Sequence, residues 1–211
     1  MRRILVCNMV LGLLLMASQT WAQDRKGQVE LFGGAAFPLS PDEFKDFYQV
    51  GGSLHGQYVT FPSPTLGISF GLAIEGFTVD EDAILNYFGL QGSGVTVEGS
   101  ASIVELGVGV RPYLTKQETN TQFFLFGMGT YNFLQEEVKA TFAGQTETVK
   151  EDANKFGLAA DAGFEIPAGE KLNIIIQGLT RFIFNEKTTD EFGNETGGTI
   201  SFVGITAGIV F

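Results

Sequence analysis

Almost every extended stretch of this chain alternates apolar with small or polar residues, and the last of them ends on a bare phenylalanine. In "ITAGIVF", Ile205, Ala207, Ile209 and Phe211 share one parity, while Thr206 and Gly208 share the other. A repeat of two residues is the mark of a strand with one apolar face. That face needs a cover, which is a second layer of protein in a soluble domain and hydrocarbon in a membrane.

The same alternation predicts eight strands: Val29 to Phe37, Tyr48 to Tyr58, Thr65 to Val79, Val97 to Leu114, Gln122 to Leu134, Lys155 to Glu165, Leu172 to Phe184 and Thr199 to Phe211. A tilted strand crosses a bilayer core in about 9 to 11 residues, and each of these is long enough. Only "DAILNYFGL", Asp82 to Leu90, suggests a short helix between strands. The connections alternate in length. Pro38 to Phe47, Asp80 to Thr96, Gln135 to Asn154 and Asn185 to Gly198 are long and acidic, whereas Val59 to Pro64, Thr115 to Thr121 and Ile166 to Lys171 are short. Long loops at one end and short turns at the other fit an up-and-down transmembrane barrel with an even strand count.

Parity within the strands sharpens the expectation. Leu66, Ile68, Phe70, Leu72 and Ile74 oppose Ser69, Gly71 and Glu75, and Val104, Leu106, Val108 and Val110 oppose Glu105, Gly107, Gly109 and Arg111. The sixth and seventh strands repeat the pattern, with Asp161, Glu165, Gln177 and Arg181 on the polar side. The fifth is mixed, because Phe124, Phe126 and Met128 share a face with Gln122, Thr130 and Asn132. A soluble sandwich or lipocalin-like barrel also alternates, but its water-facing side would carry charged residues freely. Here that side is small, sparsely charged in both signs and rich in glycine, as suits the inside of a narrow tube. The predicted fold class is therefore all-β, an eight-stranded antiparallel up-and-down transmembrane β-barrel, and closure leaves no unpaired sheet edge in lipid.

The N-terminus reads as an export signal. Arg2 and Arg3 precede an apolar run from Ile4 to Ala17, and Thr20 and Ala22 are small residues placed before a cut, so residues 1–22 are expected to be removed and 23–211 to form the barrel domain. Cys7, the only cysteine, leaves with the signal, so no disulfide framework is expected. The formal charge of -11 becomes about -13 once both arginines are lost, which makes nucleic acid an improbable partner.

Together the leader, "VELFGGAAFP" (Val29 to Pro38), "ELGVGVRPYL" (Glu105 to Leu114) and "GITAGIVF" (Gly204 to Phe211) resemble the small eight-stranded outer-membrane barrels, the OmpX-like, OmpW-like and OmpA-type transmembrane domains. The resemblance covers about Gln28 to Phe211. It implies the outer membrane of a Gram-negative bacterium, reached through the periplasm, with membrane lipid and lipopolysaccharide as surroundings. It also implies that Phe211 is the assembly signal read by the barrel-assembly machinery. No OmpA-type peptidoglycan-binding domain is expected after Phe211.

Inward parity collects Glu30, His55, Gln57, Glu75, Glu105, Arg111, Asp161, Glu165, Gln177 and Arg181. A buried charge without a partner costs several kcal/mol, so Arg111 and Arg181 are expected to neutralise neighbouring carboxylates in a filled interior. Glu30, His55, Glu75, Glu105, Arg111, Asp161, Glu165 and Arg181 are the expected charge network. His55 is the only histidine, and with Ser53 two residues away and no foreseeable orienting acid it is read as an interior residue, with no catalytic, cofactor or metal residues expected. An OmpW-like narrow conduit for small apolar molecules, lined by Phe124, Phe126 and Phe202, is the alternative.

The acids at Asp80 to Asp82, Glu136 and Glu137, Lys150 to Asp152 and Asp190 to Glu195 are read as solvated loops, though divalent cations bridging lipopolysaccharide favour such oxygen clusters. Glu136 to Asp152 alternates on both sides of Ala143 and Gly144, which predicts a hairpin extending strands five and six and an interaction surface above the membrane. The expected protein is a monomer without enzymatic activity, serving a surface-interaction or envelope-integrity role.

Overall fold

The structure, a computed structural model, describes residues 27–115, 121–169, 172–185, 187–189 and 195–211. The expected leader, residues 1–22, lies outside them. The elements run β1 (Gly27–Ser40), α1 (Asp42–Phe47), β2 (Gly51–Ser63), β3 (Leu66–Thr78), α2 (Glu81–Tyr87), β4 (Thr96–Pro112), β5 (Gln122–Phe142), β6 (Gln145–Pro167), β7 (Asn173–Ile183), β8 (Lys187–Thr189), β9 (Glu195–Gly197) and β10 (Ile200–Val210). Eight of the strands close a barrel in the order β1-β10-β7-β6-β5-β4-β3-β2, with every neighbouring pair antiparallel. The fold is the expected up-and-down barrel.

Closure is made by the two chain ends of the described region. Glu30 lies opposite Val210 and Gly34 opposite Thr206. Beyond the last paired residue, the Phe211 N–H donates to the Val29 carbonyl at 2.9 Å and the Val29 N–H returns a bond to Phe211 at 3.2 Å. No barrel strand is left with an open edge at this seam, as a sheet in hydrocarbon requires.

Burial follows parity and is inverted relative to a water-soluble barrel. On the outside Leu54 is 62% exposed, Phe70 50%, Val108 56%, Leu158 51% and Ile205 66%, whereas Glu30, Glu75 and Arg111, pointing inward, are 0%. A patch of this size in water would drive association. The mixed fifth strand resolves in the same terms, because Phe124, Phe126 and Met128 face inward with Gln122, Thr130 and Asn132.

The interior contains two apolar clusters. Near the short turns, Phe32, Tyr113, Phe124, Phe126, Met128, Ile175 and Val210 pack together. Toward the long loops, Ala36, Phe77, Ile103, Leu179, Ile183 and Phe202 do so, capped by Phe44 from α1. The Phe44 ring meets Phe77 edge-on at 5.0 Å, and Phe77 meets Phe202 at 5.5 Å. A Cβ at the inward Gly107 would meet Met128, and one at Gly109 or Gly163 would meet the main chain of the neighbouring strand together with Phe126 or with Gln177 and Phe124.

Local differences from the sequence reading have local causes. The strand β2 runs on to Ser63, past the expected turn at Val59, with its register shifting between Thr60 and Ser63 around Phe61 and Pro62. Proline cannot donate to a ladder, and a bulge accommodates it. The helix α2 lies where "DAILNYFGL" suggests one, and the Asp80 carboxylate caps it by accepting from the Ala83 N–H at 3.0 Å. The six-residue α1, "DEFKDF", is too short to show a helical period.

Candidate functional site

Two places gather the polar chemistry of the described residues, the barrel interior and the rim of the long-loop end. Inside, the eight residues expected to form a charge network are all buried and fall into two groups. The first is built on Arg111, at the β4 end nearest the short turns. Its Nη2 donates to Glu30 Oε2 at 2.8 Å while Nη1 donates to Oε1, a fork on a carboxylate. Gln28 and Gln57 donate to the same carboxylate at 2.6 and 2.7 Å. The guanidinium carbon also lies 4.3 Å from the Phe124 ring centre, so its open face is occupied by aromatic surface. Glu165 is held beside this group by the Tyr113 hydroxyl at 3.2 Å and by the Asn173 amide.

The second group is built on Arg181 of β7. Its Nε donates to Glu105 at 3.1 Å and its Nη1 to Asp161 at 2.6 Å, joining β4 and β6 across the lumen. Glu75 belongs electrostatically to the same group. His55 Nε2 lies 3.8 Å from Glu75 Oε1, and its ring stacks on Phe32 at 4.8 Å and 11°. An acid beside His55 was not foreseeable from sequence, since Glu75 lies on another strand. Ser53, by contrast, is oriented toward the main chain, with its hydroxyl 3.5 Å from the Gly34 carbonyl. The sequence reading also left out Gln28, a neighbour of Glu30 on the short-turn side. Among the described residues no three His, Cys, Asp or Glu side chains converge as a metal site.

Phe124 and Phe126, two of the three residues expected to line a conduit, are buried in the apolar cluster beside Arg111, and Phe202, the third, is buried in the cluster nearer the long loops.

At the long-loop end β5 and β6 rise far above β7, and β4 accompanies β5 as far as Thr96 opposite Thr141. The pairing of β5 with β6 runs without a shift from Gln122 opposite Glu165 to Phe142 opposite Gln145. The turn is Ala143 and Gly144, both with positive φ, 51° and 81°, as a two-residue hairpin loop demands. On the outer face Glu137 lies between Lys139 at 2.9 Å and Lys150 at 2.5 Å. Hydrogen bonds from Lys150 and then Lys139 hold the Glu137 carboxyl below its ordinary value of 4.5. A carboxylate lowered in the folded state stabilises above its unfolded value, and that contribution is lost as pH falls through the folded value. Amide protection across residues 137–150 is therefore expected to fall below pH 4.5, and the same hydrogen-exchange profile in Glu137→Gln is expected to lack that acid-dependent step. At the base of the hairpin the Tyr48 hydroxyl donates to Glu136, and burial followed by this carboxylate pushes the phenol well above its usual range.

Beside the hairpin an open cleft of about 640 Å³ is lined by Asp80, Glu81, Asp82, Glu98, Glu137 and Lys139. Several of these acids are engaged by protein: Asp80 caps α2, Glu81 accepts from the Val97 N–H at 3.0 Å, and Glu137 binds its two lysines. The fourth acidic stretch, Asp190 to Glu195, lies almost wholly outside the described residues.

No protein-family model matches the chain, and no curated protein matches it. Solved structures do. A major outer membrane protein from Thermus thermophilus aligns with a TM-score of 0.54 at 15% identity, over 88% of this chain and 98% of that one. Neisserial surface protein A aligns with a TM-score of 0.52 at 9% identity, over 88% and 96%. At such identities the likeness is one of fold.

Proposed function

Starting from a fold shared with small eight-stranded outer-membrane barrels, we propose that this chain is an integral protein of a Gram-negative outer membrane, without enzymatic activity. It acts at the cell surface or in envelope integrity through its long-loop end. The observation that carries this reading is the inversion of the barrel: apolar side chains outside on every barrel strand, charged ones inside. Lipid covers an apolar exterior at no cost that water would not exceed.

The remaining parts follow from that placement. The short turns face the periplasm and the long loops face outward, among lipopolysaccharide. Residues 1–22 direct export and are removed. Phe211, half exposed at the foot of the closing strand, is the residue the assembly machinery reads. Glu30, His55, Glu75, Glu105, Arg111, Asp161, Glu165 and Arg181 serve as a structural network in the interior of a monomeric barrel. The β5–β6 hairpin is the contact surface, because with β4 alongside β5 it extends well beyond the level at which β7 joins the barrel.

Deletion of Lys139 to Lys150 tests the division of labour. The shortened chain is expected to reach the outer membrane and to keep the heat-dependent shift in electrophoretic migration that marks a closed barrel, while losing surface binding. A shortened chain that fails to assemble would make the hairpin part of the folding unit and remove the basis for assigning it a contact role.

A further inference from the structure

Inside the barrel several buried polar atoms have no hydrogen-bond partner among the described residues, and three of the side chains concerned share one row. Both amide atoms of Gln177, the Thr206 hydroxyl and both carboxylate oxygens of Glu75 are in this state, on residues 2%, 1% and 0% exposed. Gln177 of β7 lies opposite Thr206 of β10, Thr206 opposite Gly34 of β1, Gly34 opposite Ser53 of β2, and Ser53 opposite Glu75 of β3. Gly34 brings no side chain, and the Ser53 hydroxyl lies 3.5 Å from its carbonyl. Strands in a closed barrel are tilted, so such a row winds upward as it passes from strand to strand. Gln177 stands four residues above the start of β7 at Asn173, and Glu75 three residues below the end of β3 at Thr78. The row therefore climbs most of the wall.

Polar groups continue it at both ends. Above, His55 Nε2 lies 3.8 Å from Glu75, and Glu105 is diagonal to Glu75 across the β3–β4 ladder. Opposite Glu105 comes Asn132 of β5, fully buried with an unpartnered oxygen, and opposite Asn132 comes Lys155 of β6, partly exposed at the long-loop end. Below, Gln177 packs beside the Phe124 ring that carries the Arg111 guanidinium, whose Nε also has no partner among the described residues. From Arg111 hydrogen bonds lead through Glu30, Gln28 and Glu165 to Asn173, the first residue of β7. Buried polar atoms that the protein leaves unsatisfied bind water. Waters on Gln177, Thr206 and Glu75 join these side chains into one line of hydrogen bonds.

The chemistry of the line selects what it passes. Each arginine is outnumbered by acids, Arg111 by Glu30 and Glu165, and Arg181 by Glu75, Glu105 and Asp161. An acidic lining favours cations. A metal cation must exchange its hydration shell for several oxygens at once, yet among the described residues no three acidic or histidine side chains converge, and two apolar clusters share the lumen. A proton needs neither shell nor open bore, because it moves by exchange along hydrogen bonds.

We propose that the row of Gln177, Thr206, Ser53 and Glu75, with His55 at its upper end, is a proton path that lets protons, and no larger ion, cross the barrel passively. Each group takes a proton from the one before it and yields one to the next. One proton therefore leaves at one mouth for each that enters at the other, with no electron transfer and no further reactant. The inference rests on the reading that the barrel spans a bilayer.

The test uses phosphatidylcholine vesicles carrying the mature chain, loaded with potassium salt and a pH-sensitive dye. Valinomycin lets potassium out, makes the inside negative and draws protons in. Wild-type vesicles are expected to acidify faster than protein-free ones, while their potassium release without valinomycin stays at the protein-free level. Glu75→Gln keeps a hydrogen-bonding side chain but no exchangeable carboxyl, and Gln177→Leu combined with Thr206→Val removes two links at nearly constant volume. Both are expected to acidify only as slowly as protein-free vesicles. Thr180→Val, on the lipid-facing parity of β7, is expected to acidify like wild type. Heat-shifted migration verifies the barrel in each case, and either test variant decides alone if the other does not fold. Absence of acidification by wild-type vesicles with heat-shifted barrels, or acidification that survives these changes, overturns the path and leaves the membrane-barrel reading intact. Potassium release without valinomycin overturns it in favour of an open pore. Failure to insert overturns both readings.

Discussion

Replacing Arg181 with methionine is expected to destabilise the folded barrel by about 3–5 kcal/mol, the usual consequence of removing one member of a buried ionic group. Arg181 donates to Glu105 and Asp161, and Glu75 lies in the same field. Without it the buried Glu105 and Asp161 carboxylates lose the cation that both of them contact. Urea unfolding in micelles, followed by migration or by far-ultraviolet circular dichroism, measures the loss. Methionine keeps most of the volume, so a cavity does not account for the effect. Arg181→Lys, with its charge but not its planar fork, is expected to fall between the two. Adding Glu105→Gln and Asp161→Asn to Arg181→Met is expected to recover much of the loss, because the effect lies in unpaired charge rather than in packing. An unfolding midpoint that does not move in Arg181→Met would mean that the carboxylates are not dependent on this cation.

The second large effect is expected at the closing seam. An added Cβ at Gly34 would lie 1.9 Å from the Ile205 carbonyl oxygen, and one at Gly208 would lie 2.1 Å from the Leu31 oxygen and 2.4 Å from the Phe32 Cα. These are main-chain atoms of the strand across the seam, so no rotamer change relieves the overlap. Gly34→Ala and Gly208→Ala are each expected to prevent β1 and β10 from pairing in this register, with loss of the compact, heat-shifted band and accumulation of unassembled chain. Gly129→Ala, where nothing lies within 4 Å of the new carbon, is the matched control and is expected to assemble normally. A compact band from Gly34→Ala and Gly208→Ala at wild-type yield would show that the seam tolerates a wider spacing than the one described.

The strand count and the closed up-and-down topology were legible because a period of two survives at the level of single residues, and because Gly, Pro and acidic clusters punctuate it. The hairpin was legible for the same reason, with alternation continuing on both sides of Ala143 and Gly144. What parity could not reveal is how the inside is divided. Phe32, Phe77, Leu179 and Ile183 share the inward face with Glu30, Glu75 and Arg181, and hydropathy alone assigns such residues equally well to lipid or to a core. Partnerships across the lumen were hidden as well. The Arg111–Glu30 pair spans 81 positions in sequence and the Arg181–Glu105 pair 76, and both depend on strand stagger, which no single strand encodes. The helix α1 escaped because six residues complete fewer than two turns.

The unbroken register of β5 and β6 bears on how the protein responds to load. From Phe142 and Gln145 at the tip to Gln122 and Glu165 at the base, the two strands are one ribbon, and its lower part is also barrel wall. A pull applied at the turn draws both strands the same way along their length, so the bonds between them are not peeled apart in succession. The strain passes instead to the ladders with β4 and β7, where it acts in shear and is shared by many hydrogen bonds at once. A molecule gripped at that tip is thereby moored to the whole cylinder, and tearing it loose would mean sliding the wall past its neighbours.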